Sequence, residues 1–75
     1  MAGNNVYKKI EVVGASKKSL TDAIKVAVAR AAETVKNMSW FEVVEQRGAI
    51  REGKVAEYQV TVKIGFRVDE GPLKE

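Results

Sequence analysis

Apolar and polar residues alternate along the sequence from position 54 to position 68. The apolar residues occupy the even positions: Ala56, Tyr58, Val60, Val62, Ile64, Phe66 and Val68. The odd positions carry Val55, Glu57, Gln59, Thr61, Lys63, Gly65 and Arg67. A two-residue period is that of a β-strand with one buried face and one exposed face. Because a shift of one residue would expose the whole apolar set, the even positions must face the core.

Two more strands are predicted on similar grounds. Residues 6–14 alternate and are rich in β-branched side chains, and Gly14 is expected to end this strand. Residues 40–51 form another strand, which a two-residue turn at Glu52-Gly53 joins to the strand over 54–68. Glycine supplies the positive φ that such a turn requires.

Residues 19–36 are predicted to form a helix. Ser19 and Asp22 have the spacing of a capping box, with Asp at the position where Glu or Gln is usual. With the helical period, one face carries an apolar stripe of Leu20, Ile24, Ala27, Val28, Ala31 and Val35. The alanine-rich composition allows this helix to lie close to a sheet.

The order of these elements predicts an α+β fold of the β-α-β-β type, with one helix packed on one face of a three-stranded antiparallel sheet. The 75 residues form a single domain, 1–75, with an ordered core at about 5–69 and loose tails. A core of this size contributes only ~3–5 kcal/mol to stability. Because the chain has no cysteine for disulfides, oligomerisation is the reinforcement that remains.

The composition excludes several kinds of site. Without Cys or His, the chain lacks a thiol nucleophile, the commonest general base and the commonest metal ligand, so we expect neither an enzyme nor a metal site. The net charge is +3, but the basic residues are mixed with acidic ones rather than clustered as in strong nucleic-acid binders. No signal peptide or membrane-spanning run is present, which favours a cytoplasmic protein without a membrane partner.

The register of the predicted hairpin decides which face carries the sole tryptophan. If Arg51 opposes Lys54, then Trp40 opposes Gly65 and lies on the face away from the helix. The same register gives the pairs Phe41–Ile64, Glu42–Lys63, Val43–Val62, Val44–Thr61 and Gln46–Gln59. The pair of Glu42 and Lys63 is expected to be an ion pair. By the same spacing, Arg47 falls on the core-facing set of residues.

A tryptophan beside a glycine, on the sheet face without a helix, has two explanations. The first and commoner one is a subunit interface. The second is a ligand site, since the open space above a glycine can accept a flat ring stacked on the indole. Gln59 could hydrogen-bond the polar edge of such a ring, and nearby arginines could hold a phosphate. The two explanations are compatible, because a ligand can lie within an interface.

The sequence resembles the dodecins, which are small flavin-binding proteins of bacteria and archaea. The resemblance is carried by VYKKIEVVGAS, SLTDAI, ARAAETVKNMSWFEVVEQRGAI and GKVAEYQVTVKIGFRV, which cover nearly the whole chain. It implies a hollow homododecamer with helices outward and sheets inward, in which flavins bind in pairs at sites shared between subunits. The basic composition is similar to that of bacterial members, which implies FMN rather than a smaller flavin such as riboflavin.

The resemblance also implies roles for individual residues. Trp40 is the residue that stacks on the flavin, and Gln59 binds the pyrimidine edge of the isoalloxazine. Arg47 and Arg67 match positions associated with the ribityl phosphate, and Lys8 matches a similar position.

Two further features follow from comparison with the family pattern. Some bacterial members hold coenzyme A near a three-fold axis, and Arg30, Thr34 and Lys36 would correspond to that site. This chain also departs from the pattern, because Glu57 stands where many members have His, and Ala49 where His or Thr is frequent. These departures bear on contacts near the phosphate and leave the tryptophan and glutamine positions intact.

These observations predict a flavin-storage protein rather than an enzyme. Stacking would permit electron transfer from the indole of Trp40 to an excited flavin, which would quench fluorescence and suppress photochemistry. The alternative is a sheet-based module for single-stranded nucleic acid, for which a lone aromatic is a poor platform. A third possibility is a small flavin-dependent enzyme, but paired flavins between tryptophan rings leave little room for a substrate.

Overall fold

The computed structural model describes residues 5–68. Its elements are β1 (Tyr7–Ser16), α1 (Leu20–Ala31), β2 (Met38–Arg51) and β3 (Lys54–Arg67). The strands form one antiparallel sheet in the order β1-β3-β2. The predicted β-α-β-β fold is therefore confirmed. The tails that were predicted to be loose fall mainly on residues 1–4 and 69–75, which lie outside the described residues.

The helix begins after Ser19, as predicted. The Oγ atom of Ser19 accepts a hydrogen bond of 2.9 Å from the backbone N–H of Asp22, which makes Ser19 the N-cap. The Asp22 carboxylate does not complete the capping box, because it accepts a 2.7 Å hydrogen bond from the hydroxyl of Ser16 instead. This contact ties the first turn of α1 to the end of β1.

The helix ends at Ala31, so the predicted end at residue 36 was wrong. The backbone N–H groups of Thr34 and Val35 donate to the Ala31 carbonyl at 3.1 and 2.9 Å, within a turn rather than a continuing helix. Asn37 then has a left-handed φ of 64° and leads the chain into β2. Threonine and valine are weak helix formers, and asparagine tolerates the left-handed region, so the sequence favours an early stop.

A line of alanines forms the buried face of the helix. Ala23, Ala27 and Ala31 pack against the fully buried side chains of β3, which are Val60, Val62 and Ile64. The larger residues of the predicted stripe, Leu20, Ile24 and Val28, only flank this core and are partly buried. The predicted stripe therefore gave too much weight to the larger residues at its edge, and it omitted Ala23, which lies at its centre.

Gly14 lies inside β1, so the prediction that it ends the strand was wrong. A Cβ atom at this position would overlap the backbone carbonyl of Ala23 and lie 2.9 Å from the Cβ of Ala27. The glycine is therefore needed for the close approach of the helix backbone to the strand.

The helix lies over β1 and β3 and leaves most of the same side of β2 uncovered, with Met38 at the start of β2 packed against the core. Phe41 and Val43 pair with Ile64 and Val62 as predicted, yet they are 49% and 44% exposed. Ile50 and Val55, near the hairpin end, are exposed as well. We call these four exposed residues, Phe41, Val43, Ile50 and Val55, the apolar hairpin surface. The described part of a single chain does not bury it.

The hairpin register agrees with the prediction only near its two ends. The turn has left-handed φ values of 51° at Glu52 and 76° at Gly53, as the two-residue prediction requires. The pairs from Trp40–Gly65 to Val43–Val62 also follow the predicted register.

A β-bulge at residue 44 changes the pairing in the middle of the hairpin. Beyond it, Glu45 pairs with Thr61, Gln46 with Val60 and Arg47 with Gln59, and the predicted register returns at Ile50–Val55. The predicted pairs Val44–Thr61 and Gln46–Gln59 were therefore wrong. An extra residue in one strand reverses which face the following side chains occupy.

None of the helices within residues 5–68 has both the length and the apolar character to cross a membrane.

Candidate functional site

The indole of Trp40 lies against the backbone of Gly65 on the sheet face away from the helix. The two residues are directly paired, and a Cβ atom at position 65 would overlap the six-membered ring of the indole. Because glycine has no side chain, one side of the ring packs on β3. The residue remains 38% exposed. The prediction that Trp40 lies on the uncovered face is confirmed.

Glu42 fixes the polar edge of the indole. The Nε1–H of Trp40 donates a 2.8 Å hydrogen bond to Oε2 of Glu42, and the same oxygen lies 2.8 Å from Nζ of Lys9. The predicted ion pair of Glu42 with Lys63 was wrong in its partner, because the lysine that closes the pair comes from β1. The hydrogen bond from Lys9 and that from Trp40 lower the pKa of the Glu42 carboxyl, with a smaller electrostatic contribution from Lys63.

Tyr7 is a second aromatic residue at this site, and the sequence pattern did not predict it. Its ring centroid lies 5.3 Å from that of Trp40, and the two planes are tilted by 59°. Tyr7 pairs with Arg67 across β1 and β3, so the register of β1 would have revealed it. The tilted rings support each other edge to face and do not form one flat platform. We call Tyr7, Lys9, Trp40, Glu42 and Gly65 the tryptophan cluster.

A second cluster lies further along the same sheet face. The bulge at residue 44 places Arg47 opposite Gln59, and Nε of Arg47 donates a 2.7 Å hydrogen bond to Oε1 of Gln59. The prediction that Arg47 faces the core was therefore wrong. Nε2 of Gln59 in turn donates a 2.9 Å hydrogen bond to Oε1 of Glu57. We call Arg47, Glu57 and Gln59 the glutamine cluster.

The glutamine cluster fixes the direction of the Gln59 amide. Arg47 can only donate, so it faces the amide oxygen, and the Glu57 carboxylate can only accept, so it faces the amide nitrogen. One lone pair on Oε1 and one N–H on Nε2 remain for a ligand. An adjacent acceptor and donor of this kind complement an imide edge, in which an N–H stands beside a carbonyl.

The two clusters are too far apart to meet on one chain. Trp40 lies at position 65 of β3 and Gln59 lies six residues away, which corresponds to roughly 20 Å along an extended strand. This distance exceeds the length of a tricyclic ring system. A flat ligand that stacks on Trp40 therefore cannot reach Gln59 of the same subunit.

The remaining predicted phosphate ligands lie in different places. Arg67 is exposed and lies on the same sheet face as Trp40, opposite Tyr7. Lys8 pairs with Phe66 and so belongs to the opposite face, the one that carries the helix. The structure therefore brings Arg67, but not Lys8, to the face of the tryptophan cluster.

Two of the three residues predicted for coenzyme A lie in one groove. Arg30 and Thr34 line the groove between α1 and β1, whereas Lys36 is not among its lining residues. Arg30 is highly exposed and lies 3.7 Å from Glu33. Within residues 5–68, no three Asp, Glu, His or Cys side chains come together in an arrangement that could hold a metal ion.

Comparison with known proteins places the chain in a family. The sequence profile of the Dodecin family matches residues 6–69. Dodecin of Thermus thermophilus is 52% identical over 65 residues, which are 87% of this chain and 94% of that protein. A Thermus thermophilus crystal structure matches with a TM-score of 0.86 and 51% identity, covering 89% of this chain and 98% of the other. Dodecin from Streptomyces coelicolor matches with a TM-score of 0.87 and 43% identity, covering 92% and 99% of the two chains. The chain therefore belongs to the dodecin family, whose members are small flavin-binding proteins.

Proposed function

We propose that this protein stores FMN in a hollow homododecamer and quenches the photochemistry of the bound flavin. The observation that carries the proposal is the flat placement of the Trp40 indole on Gly65, with its outer side exposed on the uncovered sheet face. An isoalloxazine stacked on that outer side would gain dispersion energy and bury apolar surface on both rings. The storage role involves no chemical turnover.

The separation of the two clusters supports a binding site that is shared between subunits. Trp40 of one subunit stacks on the ring, and Gln59 of a neighbouring subunit binds its pyrimidine edge. The free acceptor and donor of the Gln59 amide complement the imide group of an isoalloxazine. The apolar hairpin surface supports the required assembly, since its exposed residues need a partner in a soluble protein.

The arginines supply charge for the phosphate of FMN. Arg47 uses its Nε–H to hold Gln59, which leaves its terminal nitrogens free to donate to phosphate oxygens. Arg67 is exposed on the face of the tryptophan cluster and adds a second positive charge. Lys8 contributes only if a neighbouring subunit presents its opposite face to the site. Riboflavin, which lacks the phosphate, would use the stacking and amide contacts alone.

A secondary proposal concerns coenzyme A. Arg30 and Thr34 line one groove beside the C-terminal end of the helix, where a phosphate could be held by the guanidinium and the hydroxyl. Lys36 lies two residues beyond Thr34 in the sequence, is not among the residues that line the groove, and would add a positive charge nearby.

A titration of the purified assembly with FMN tests the proposal. Flavin fluorescence should be strongly quenched by the wild type and only weakly by Trp40→Ala, because the indole is the proposed electron donor. Trp40→Phe serves as the matched variant, since it keeps an apolar ring that stacks but is much harder to oxidise. We expect Trp40→Phe to bind FMN with weak quenching. Equal quenching in all three proteins would refute the role of Trp40.

A second experiment distinguishes flavin binding from nucleic-acid binding. Single-stranded DNA at low salt, or FMN, is added to the assembled protein, and the change in Trp40 fluorescence is followed. We expect a saturable change with FMN and no saturable change with DNA. The reverse result would favour a nucleic-acid-binding module, for which the tilt between Tyr7 and Trp40 provides a poor stacking surface.

A further inference from the structure

The indole of Trp40 is held by a charged network that reaches across all three strands. Glu42 lies two residues along β2 from Trp40, so both side chains project from the same face. Its Oε2 atom accepts the indole N–H at 2.8 Å and also meets the Lys9 ammonium at 2.8 Å. Lys9 belongs to β1, on the far side of β3, where it pairs with Gly65. The carboxylate is therefore anchored from a strand other than its own.

We infer that Glu42 is a positioning residue that keeps the Trp40 indole flat on the sheet, ready to accept a stacked ring. The inference rests on the proposed flavin-binding function. A partly exposed tryptophan side chain would otherwise sample several rotamers, and ordering it would oppose ligand binding. A charge-assisted hydrogen bond to an anchored carboxylate removes that disorder before the ligand arrives.

The hydrogen bond and the ion pair have different roles in this arrangement. Gly65 makes room for the ring but cannot select its rotation about χ2, whereas the hydrogen bond from Nε1 defines which edge of the indole faces Glu42. Lys9 defines where the carboxylate lies. Tyr7 packs at 5.3 Å against the ring and limits its movement towards β1. Glu42 itself has no contact with the ligand in this scheme.

The first test needs no flavin, because Trp40 is the sole tryptophan and its signals report on this position alone. The near-ultraviolet circular dichroism and the fluorescence anisotropy of the assembled protein are measured. We expect Glu42→Ala to lose most of the indole dichroism, and Glu42→Gln, whose amide oxygen still accepts the N–H, to keep much of it. Lys9→Met should cause a smaller loss than Glu42→Ala. Wild-type signals in Glu42→Ala would overturn the inference.

Glu45→Gln is the matched control. Glu45 lies on the same strand and the same sheet face, and its substitution makes the same change of charge. Among residues 5–68, no hydrogen bond or ion pair of the Glu45 side chain is formed. We expect its spectra and its FMN affinity to equal those of the wild type. A loss in Glu45→Gln as large as that in Glu42→Ala would show that removing a negative charge from this face is sufficient, and would overturn the inference.

The second test uses FMN and separates positioning from direct contact. Glu42→Ala should raise the dissociation constant for FMN about three- to tenfold, while quenching at saturation stays at the wild-type level. An unchanged dissociation constant would overturn the inference. If the wild type itself does not bind FMN, the proposed function fails, and the dichroism of the flavin-free protein still decides whether Glu42 holds the indole.

Discussion

Gly14 and Gly65 face opposite sides of the sheet. Substituting each of them tests whether folding stability and flavin binding depend on different parts of the structure. Gly14 lies under the helix, and Gly65 lies under the indole of Trp40. Neither glycine has a left-handed backbone, so alanine fits the φ and ψ of both positions. The same one-methyl change therefore probes two different neighbours.

The neighbour of Gly14 cannot move away. An added Cβ would overlap the carbonyl of Ala23 and crowd the Cβ of Ala27, both of which belong to the packed face of the helix. Overpacking of this kind costs about 2–3 kcal/mol. For a domain of this size, Gly14→Ala should lower Tm by roughly 10–20 °C. FMN binding by the protein that remains folded should be unchanged.

The neighbour of Gly65 can move, because the indole lies at the surface. In Gly65→Ala the ring lifts off the sheet, so the stability of the fold should change by less than about 1 kcal/mol. The stacking surface is lost, however. Stacking of a base on an aromatic side chain is worth about 1–3 kcal/mol, so FMN affinity should fall by about five- to 150-fold.

Thermal unfolding and FMN titration of both variants check this division. The expected result is a stability defect without a binding defect for Gly14→Ala, and the opposite for Gly65→Ala. If Gly65→Ala binds FMN as tightly as the wild type, the indole of Trp40 is not the stacking surface. If Gly14→Ala unfolds at the wild-type temperature, the helix does not approach the sheet as closely as the structure has it.

A pH titration and two substitutions test the Glu42 contact, the Gln59 amide and the apolar hairpin surface separately. The pKa of Glu42 is lowered in the folded protein, so the stabilisation from its charged form is present above the ordinary value of 4.5 and is lost as pH falls through the lower folded-state pKa. The Trp40 dichroism should therefore decline in acid, but only to the level of Glu42→Gln, and Glu42→Gln should lack that step. Glu57→Ala releases one side of the Gln59 amide and should weaken FMN binding about two- to tenfold in a titration; an effect larger than that of Gln59→Ala would contradict this role. Val43→Asp places a charge on the apolar hairpin surface and should yield smaller particles by light scattering, whereas full-size particles would show that this surface lies outside the interfaces.

The sequence predicted the parts of the fold that follow from the two-residue alternation of a strand or from the geometry of a hairpin turn. The alternation over 54–68 identified Val60, Val62 and Ile64 as core residues, and they are fully buried. The Glu52-Gly53 turn fixed the register next to it, and the pairs near Trp40 were correct as well. These predictions succeeded because strand geometry and turn geometry are local properties of the chain.

The bulge at residue 44 could not be derived in the same way. Both Val43 and Val44 are apolar, and a strand with two adjacent valines can continue its alternation or insert an extra residue. Within residues 40–51, the pairs at both ends of the hairpin follow the register counted from the turn, and only the pairs of Glu45 to Ala49 are shifted by one residue. Counting from the turn therefore cannot reveal the shift. As a result, Arg47 was assigned to the wrong face and Gln46 was placed opposite Gln59 in its stead.

Small residues account for the other differences. Ala23 and Gly14 were not expected at the centre of the helix–sheet contact, because hydrophobic patterns give weight to large side chains. Close approach of two backbones favours small ones. Tyr7 was missed for a different reason: β1 and β2 are not neighbours in the sheet, so its contact with Trp40 depends on the registers of both strands with β3.

The separation of the two clusters ties ligand binding to assembly. In each chain Trp40, the proposed stacking residue, lies on β2 opposite Gly65 near one end of β3, and Gln59 lies near the middle of β3, roughly 20 Å away by strand geometry. A flavin that requires both can bind only where two subunits meet, so a separate subunit would have at most a partial site. A ligand that binds the assembled form and not the separate chain stabilises the assembly in proportion to the logarithm of its concentration. FMN should therefore raise the temperature at which the particle dissociates, and the rise should vanish in Trp40→Ala even though the apolar hairpin surface is unchanged.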